Sequence, residues 1–148
     1  MRIMVLHQAP QQPSDVEPHR QVEVMLRSYA SPGTEVDYLC PDDYEGAALP
    51  AVIARLPDGQ QAHNELPYAI STPALVRKIV WAEENGYDAV VVRNAFDPGI
   101  EAARLAVRIP VVGICRATLH VAASLAVRIG VTVPFDGYLP WTRRLMGS

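Results

Sequence analysis

The sequence lacks paired cysteines, clusters of basic residues and long hydrophobic runs. Its 148 residues include two cysteines, Cys40 and Cys115, which lie far apart and form no CxxC pair, so a zinc site or a disulfide framework has no support. The 13 Lys and Arg residues are scattered along a chain of net charge −3, which is not typical of nucleic-acid-binding proteins. The apolar stretch near the N-terminus is too short for a signal peptide or a membrane span. We therefore expect a cytoplasmic protein without a nucleic-acid or membrane partner and without a bound metal.

Nucleotide- and phosphate-binding motifs are missing as well. No GxGxxG pattern follows the first predicted strand, and no GxxxxGK pattern followed by Ser or Thr occurs. The acidic pair and lysine of a phospho-receiver domain are absent from the corresponding segments, and so is the DxHxxG loop of a cobalamin module. These absences argue against the function classes that depend on such motifs.

The chain does contain a regular alternation of strand and helix patterns. Because 49% of its residues are hydrophobic, one domain of this length can bury a sizeable core. Short apolar runs predict strands at residues 2–6, 35–39, 87–92, 108–114 and 130–134. Helical spacing of apolar residues predicts helices in the later part of 11–30, over 72–85, after residue 98, over 116–128 and over 139–146.

Two of these helices have recognisable start signals. Thr72 is expected to cap the helix over 72–85, with Pro73 in its first turn, and Asp97 is expected to cap the helix after residue 98, with Pro98 in its first turn. Residues 41–71 show no regular pattern and are expected to form a long irregular loop.

Strand–helix alternation with short joins predicts right-handed crossovers and a sheet covered on both faces. We predict one domain over residues 1–148 with a three-layer α/β/α fold. Its mostly parallel, five-stranded sheet is expected to have the flavodoxin-like order 2-1-3-4-5. In such sheets ligands bind outside the carboxyl ends of the strands, at the switch between strands 1 and 3.

Three joins between a strand and the next segment fall in this predicted crevice. His7 and Gln8 follow strand 1, residues 93–96 follow strand 3, and Cys115 follows strand 4. The candidate ligand contacts are Gln8, Arg93, Ala95 and Phe96. The candidate catalytic residues are His7, Asn94 and Cys115.

Each polar candidate also has a purely structural interpretation. Asn94 can donate to a ligand oxygen, or it can brace the backbone of its join. Arg93 can clamp an anion with its planar guanidinium, or it can pair with a surface carboxylate. His7 has the ordinary pKa of a general acid or base near neutrality, or it serves only as a hydrogen-bonding group.

We expect the two cysteines and His19 to have structural rather than functional roles. Cys115 lies near a predicted helix N-terminus, where a thiol pKa can fall, although we favour an inert buried thiol. Cys40 ends strand 2, and a structural role is favoured for it too. His19 lies in a polar segment and is expected to be exposed.

Three sequence motifs follow one another between about residues 65 and 135. "ELPYAISTPALVRKIVWAEENG" precedes the third strand, "DPG" follows that strand, and "IPVVGI" precedes a His-containing helix. Over about residues 65–135 this series resembles the aspartate/glutamate/hydantoin racemase superfamily. The resemblance implies an α/β lobe and an enzyme without cofactor or metal. In that superfamily two cysteines, one from each of two similar lobes, remove and return a proton on opposite faces of an α-carbon.

The chain departs from the superfamily pattern in two ways. The position of the first-lobe cysteine falls at Arg93 or Asn94, and neither residue is a thiol. The sequence also stops shortly after the strand that would begin the second lobe, so the second cysteine region is absent from it. We therefore expect no racemisation by two thiols, but a lobe of the same fold in which Asn94 is a carboxylate or carbonyl ligand.

The resemblance then implies a cofactor-independent isomerase, cyclase or lyase that acts on a small or medium carbonyl or carboxylate compound by acid–base chemistry. The alternatives are a catalytically inactive, racemase-derived binding or scaffolding protein, and a fragment of a longer racemase-like chain. Because the superfamily's active site needs two lobes, we expect a homodimer. Strand 5 or the terminal helix, with Trp141 and Leu145, is the expected interface.

Overall fold

The computed structural model describes residues 1–42, 66–133 and 136–147, without the side chains of residues 66–68 and 70. The strands are β1 (Arg2–His7), β2 (Glu35–Leu39), β3 (Ala89–Arg93) and β4 (Val111–Gly113). The helices are α1 (Val16–Tyr29), α2 (Leu66–Glu84), α3 (Ile100–Ala106), α4 (Ile114–Leu125) and α5 (Leu139–Gly147). Short 3-10 turns at Pro13–Asp15 and Asp136–Tyr138 precede α1 and α5.

The described strands form one parallel sheet in the order β2-β1-β3-β4. This confirms the predicted α/β fold class and the predicted order of the first four strands. β1 lies between β2 and β3, and its last residue, His7, is directly opposite Arg93 of β3. The carboxyl ends of β1 and β3 therefore meet at one edge of the sheet, as the site prediction requires.

The core lies on both faces of the sheet because successive strand residues point to opposite sides. Met4, Leu6, Val90 and Val92 face α2 and α3, where they pack against Leu75, Ile79 and Ile100. Val5, Val36 and Tyr38 face the other way and pack against Val22 and Leu26 of α1. Each fully buried aliphatic side chain of this kind contributes about 1.5–3 kcal/mol to folding.

The predicted start of the second helix is wrong. α2 begins at Leu66, so Thr72 does not cap it, Pro73 lies inside it, and the predicted loop of residues 41–71 ends earlier than expected. Ser71 and Ala74 are both buried, whereas Pro73 is exposed. Because one face of the helix is buried on both sides of the proline, packing outweighs the local preference for a helix start. Residues 43–65, most of that loop, lie outside the described residues.

The last part of the predicted sheet also differs from the structure. Residues 130–133 are not in a strand, and α4 ends at Leu125 instead of residue 128. A strand needs a hydrogen-bonded neighbour, and Arg104 Nε already donates to the Val111 carbonyl of β4 at 3.0 Å. That contact covers part of the β4 edge. Within the described residues, no helix has both the length and the apolar character needed to cross a membrane.

Candidate active site

Three side chains at the carboxyl edge of the sheet form a hydrogen-bonded chain. Arg93 Nη1 donates to the Tyr38 hydroxyl oxygen at 3.0 Å, and this hydroxyl lies 3.1 Å from His7 Nδ1. His7, Tyr38 and Arg93 come from three adjacent strands, β1, β2 and β3. The structure thus brings two of the predicted site residues together, and it adds Tyr38, which the sequence marked only as part of a strand.

The direction of the Tyr38–His7 hydrogen bond decides which nitrogen of neutral His7 carries the hydrogen. A guanidinium group only donates, so the Tyr38 oxygen accepts from Arg93, and its own hydrogen remains available for His7 Nδ1. We expect Tyr38 to donate in this direction, which puts the hydrogen of neutral His7 on Nε2. The ring then presents an N–H donor at the nitrogen that does not face Tyr38.

The surroundings of His7 favour its neutral form. Burial lowers the pKa of His7 below its ordinary value, and the neighbouring His19 and Arg93 lower it further, against a smaller opposing effect of Asp15. The imidazole is consequently uncharged at pH 7. A neutral imidazole with its hydrogen on Nε2 is suited to donate a hydrogen bond to a ligand oxygen.

We expect the His7 ring to titrate below its ordinary pKa of 6.5 and to be the Nε2–H tautomer above it, as measured by long-range proton–nitrogen NMR correlations. Since folding lowers the pKa, the stability due to neutral His7 is complete above 6.5 and is lost as the pH falls through the folded value. Tyr38→Phe removes the hydrogen given to Nδ1, so a mixture of tautomers should appear. His120, exposed on α4, is the internal reference. An Nδ1–H tautomer in the unmodified protein would contradict the assignment.

Asn94 braces the join after β3. Its Oδ1 accepts the Phe96 backbone N–H at 2.8 Å, and its Nδ2 donates to Gln8 Oε1. The Asn94 carbonyl oxygen also accepts the Asp97 N–H at 3.3 Å. Asn94 therefore makes the contacts that its structural interpretation requires, because it braces the backbone of the join. A side-chain amide has two N–H groups, so a role in binding a ligand is compatible with them.

His19 and Cys40 lie beside His7. The His19 ring centroid is 4.8 Å from that of His7, and His19 Nδ1 is 3.6 Å from Cys40 Sγ. The prediction that His19 is exposed is wrong, because His19 shares the inward face of α1 with Val22 and Leu26, three and seven residues later. This helical spacing in the sequence could have shown that His19 faces inward. Burial raises the pKa of Cys40 to about 11, so its thiol is neutral.

Asp97 caps a helix, but not the one that follows it in the sequence. Its carboxylate accepts the backbone N–H groups of Cys115 and Arg116, at 2.9 and 2.8 Å, in the first turn of α4. The predicted cap of α3 is wrong, because Gly99 occupies that position with a left-handed backbone and no side-chain cap. The signal that was missed is Gly113, which occupies the N-cap position of α4 without a side chain. A cap for α4 had to come from elsewhere in the fold.

The lowering of the Cys115 pKa that a helix N-terminus can cause does not occur. Burial raises the pKa of Cys115 above its ordinary value, and the Asp97 carboxylate raises it further. The negative charge of Asp97 offsets the positive end of the α4 dipole that would stabilise a thiolate. Cys115 is therefore a neutral thiol. It lines a cavity together with Ala95 and Phe96, two of the predicted ligand contacts.

No group of three His, Cys, Asp or Glu side chains within residues 1–42, 66–133 and 136–147 is arranged to hold a metal ion. The chemistry that the described site offers is hydrogen-bond donation and proton transfer. Its donors are a guanidinium, a neutral imidazole and a side-chain amide, all at the end of two neighbouring strands. Such a set stabilises negative charge on a ligand oxygen.

The sequence profile of the Asp/Glu/Hydantoin racemase family matches residues 20–147. The chain therefore belongs to the Asp/Glu/Hydantoin racemase family, which confirms the resemblance of its second half. Two curated hydantoin racemases match part of it. The enzyme from Rhizobium meliloti is 36% identical over 72 residues, or 49% of this chain and 30% of that protein. The enzyme from Pseudomonas sp. (strain NS671) is 40% identical over 62 residues, or 42% of this chain and 25% of that protein.

Two solved structures are similar over nearly the whole chain. Allantoin racemase from Klebsiella pneumoniae matches with a TM-score of 0.76 at 25% identity, and allantoin racemase from Pseudomonas fluorescens with 0.71 at 22% identity. In both cases 99% of this chain is covered, against 53% and 56% of the respective neighbour. The chain thus spans about half the length of the structures it resembles.

Proposed function

We propose that this chain binds a small carbonyl or carboxylate compound at the carboxyl edge of β1 and β3 and acts on it by acid–base chemistry without a cofactor. The observation that carries the proposal is the convergence of His7, Arg93 and Asn94 at that edge, on strands where His7 and Arg93 are direct neighbours. Membership of a family whose named relatives are racemases supports the reaction class.

The three side chains have complementary roles in this proposal. Arg93 is exposed and gives one N–H to Tyr38, so the rest of its guanidinium can hold a carboxylate. His7 Nε2–H and an Asn94 N–H donate to the oxygen on which negative charge develops when the neighbouring carbon loses a proton or a bond. His7 can then pass its Nε2 hydrogen to that oxygen or to a leaving group while Nδ1 takes the Tyr38 hydrogen, which leaves a phenolate beside the Arg93 guanidinium.

The two-thiol mechanism is not part of the proposal. Residues 93 and 94 are not cysteines, and burial raises the pKa of both Cys40 and Cys115. Neither thiol is therefore a thiolate base at pH 7. The proposed reaction is that of an isomerase, cyclase or lyase that uses His7 as its acid and no thiol.

We expect aspartate, glutamate, hydantoin or acetate to shift the NMR signals of the Arg93 Nε–H and of the Asn94 side-chain amide in a saturable titration. In deuterated water, aspartate, glutamate and a 5-substituted hydantoin should not exchange their α-proton above background. Exchange on the order of 1 per second or faster would contradict the interpretation of residues 93 and 94. Absence of any saturable shift would contradict the site. Binding without any turnover would instead favour the alternative, a racemase-derived binding protein.

We also propose that the chain forms a homodimer in the cytoplasm. Leu105, Val121 and Leu125 are strongly exposed apolar side chains on α3 and α4, and covering them would remove apolar surface from water. Trp141, which we expected at the interface, is already stacked on Phe96 with ring centroids 4.9 Å apart. The surface around α3 and α4 therefore supports association better than Trp141 does, and the homodimer stays a prediction.

A further inference from the structure

A cavity of about 340 Å³ lies between the join after β3, the start of α4 and the C-terminal segment. Its walls include Ala95, Phe96, Cys115, Leu119, Tyr138 and Thr142. This volume falls within the usual range for small-molecule sites. It is also larger than the cavity of ~150 Å³ that is known to bind benzene in a protein interior.

The lining of this cavity favours an uncharged occupant. None of the described residues that line it is an Asp, Glu, Lys, Arg or His. Cys115 is a neutral thiol, and the Thr142 hydroxyl already donates to the Tyr138 carbonyl oxygen at 2.9 Å. Because a buried charge without a partner is costly, the cavity selects apolar groups.

One wall of the cavity is held by stacked aromatic rings. Phe96 is buried and contacts both Tyr138 and Trp141, with ring centroids 4.6 and 4.9 Å away. Aromatic pairs at these separations are mutually stabilising. The wall is therefore formed by packing within the chain and does not depend on a ligand.

The cavity shares its wall with the polar site. Ala95 directly follows Asn94, and the Phe96 N–H is held by Asn94 Oδ1 at 2.8 Å. A ligand with its oxygen at Asn94 would therefore have the cavity beside it. Asn94 and the cavity together make a site with a polar end and an apolar end.

We propose that the cavity binds an uncharged aromatic or branched-alkyl substituent of the compound whose carbonyl or carboxylate oxygen is held at Asn94. The assignment of the polar end rests on the proposed function. The assignment of the apolar end rests on the cavity and can be tested by itself. Leu119 and Thr142 are then specificity-determining residues, because they limit the size of the substituent.

The apolar end is tested with toluene, which has no polar group for Arg93 or Asn94. We expect toluene to bind saturably and to shift the NMR signals of Ala95, Phe96 and Thr142. Leu119→Trp fills the cavity and should abolish this binding. Thr118→Trp places the same side chain at an exposed position of the same helix and should leave toluene binding intact.

The link between the two ends is tested with acetate and phenylacetate. Phenylacetate should bind about tenfold or more tightly than acetate, since its ring leaves water. Leu119→Trp should remove that difference without weakening acetate binding. If the tryptophan variant fails to fold, Thr142→Leu makes the smaller filling change and should reduce the difference.

The failures of the two proposals are distinguishable. Toluene binding without binding of either carboxylate would leave the cavity assigned but would contradict the polar site. Equal affinity for acetate and phenylacetate would overturn the proposed substituent, even if both bind. Absence of toluene binding, or toluene shifts that persist in Leu119→Trp, would overturn the assignment of the cavity.

Discussion

Replacing Gly113 by alanine is expected to destabilise the fold by about 3 kcal/mol and to lower the melting temperature by roughly 10 °C. A Cβ on Gly113 would lie less than 3.0 Å from the carboxyl carbon and both oxygens of Asp97. The carboxylate would have to leave the N–H groups of Cys115 and Arg116. Asp97 is only 5% exposed, so the displaced charge has little access to water.

Thermal and urea denaturation of matched variants measure this effect. Gly130→Ala is the control, since a Cβ there meets no atom within 4 Å, and its melting temperature should barely change. Asp97→Ala removes the carboxylate that the new methyl group would strike. In that background Gly113→Ala should cost far less than in the unmodified chain. An equal cost in both backgrounds would show that the contact with Asp97 is not the cause.

The sheet could be predicted because its strands carry strong local signals. Val90, Val91 and Val92 form a β-branched run, and a strand buried on both faces needs such a run. The structure places Val90 and Val92 in the core under α2 and α3 and packs Val91 against the core under α1. Parallel pairing then brings His7 opposite Arg93, so this part of the site followed from the strand order.

The features that could not be predicted depend on contacts between distant residues. α2 passes through Pro73 because its buried face continues on both sides of the proline. Asp97 has the local pattern of a cap for the next helix, yet its carboxylate reaches α4 across the fold. Residues 130–133 have a strand-like sequence but are not in a strand in the structure.

The positions of the candidate residues were easier to predict than their contacts. The sequence identified His7 and Asn94 from their place after strands, but nothing local shows that Tyr38 connects His7 to Arg93. The hydrogen bonds of Asn94 to Gln8 and Phe96 could not be predicted from the sequence either. These contacts decide how a variant at Asn94 has to be designed, because simple truncation removes the brace as well as the donor.

Replacing Asn94 by aspartate is expected to weaken ligand binding, or the rate of any reaction at the site, about 100-fold while leaving the fold intact. The new carboxylate keeps an oxygen for the Phe96 N–H, and Gln8 can turn its own amide to donate to it. The substitution removes an N–H donor. It also adds a negative charge close to the ligand oxygen on which negative charge develops. Asn94→Ala should instead also lower stability by about 1–3 kcal/mol, because it leaves the Phe96 N–H without a partner.

The measurement is the affinity of Asn94→Asp for whichever of aspartate, glutamate, hydantoin or acetate the unmodified chain binds most tightly, beside its melting temperature. Arg128→Gln changes the net charge by the same amount at an exposed position beyond the far end of α4, so its affinity should fall little. If Asn94→Asp keeps both its melting temperature and the original affinity, Asn94 only braces the join. Ligand binding at the carboxyl edge would then depend on donors other than the Asn94 side chain, among them His7 and Arg93, because the only side-chain amide of the join over residues 93–96 would have no part in it.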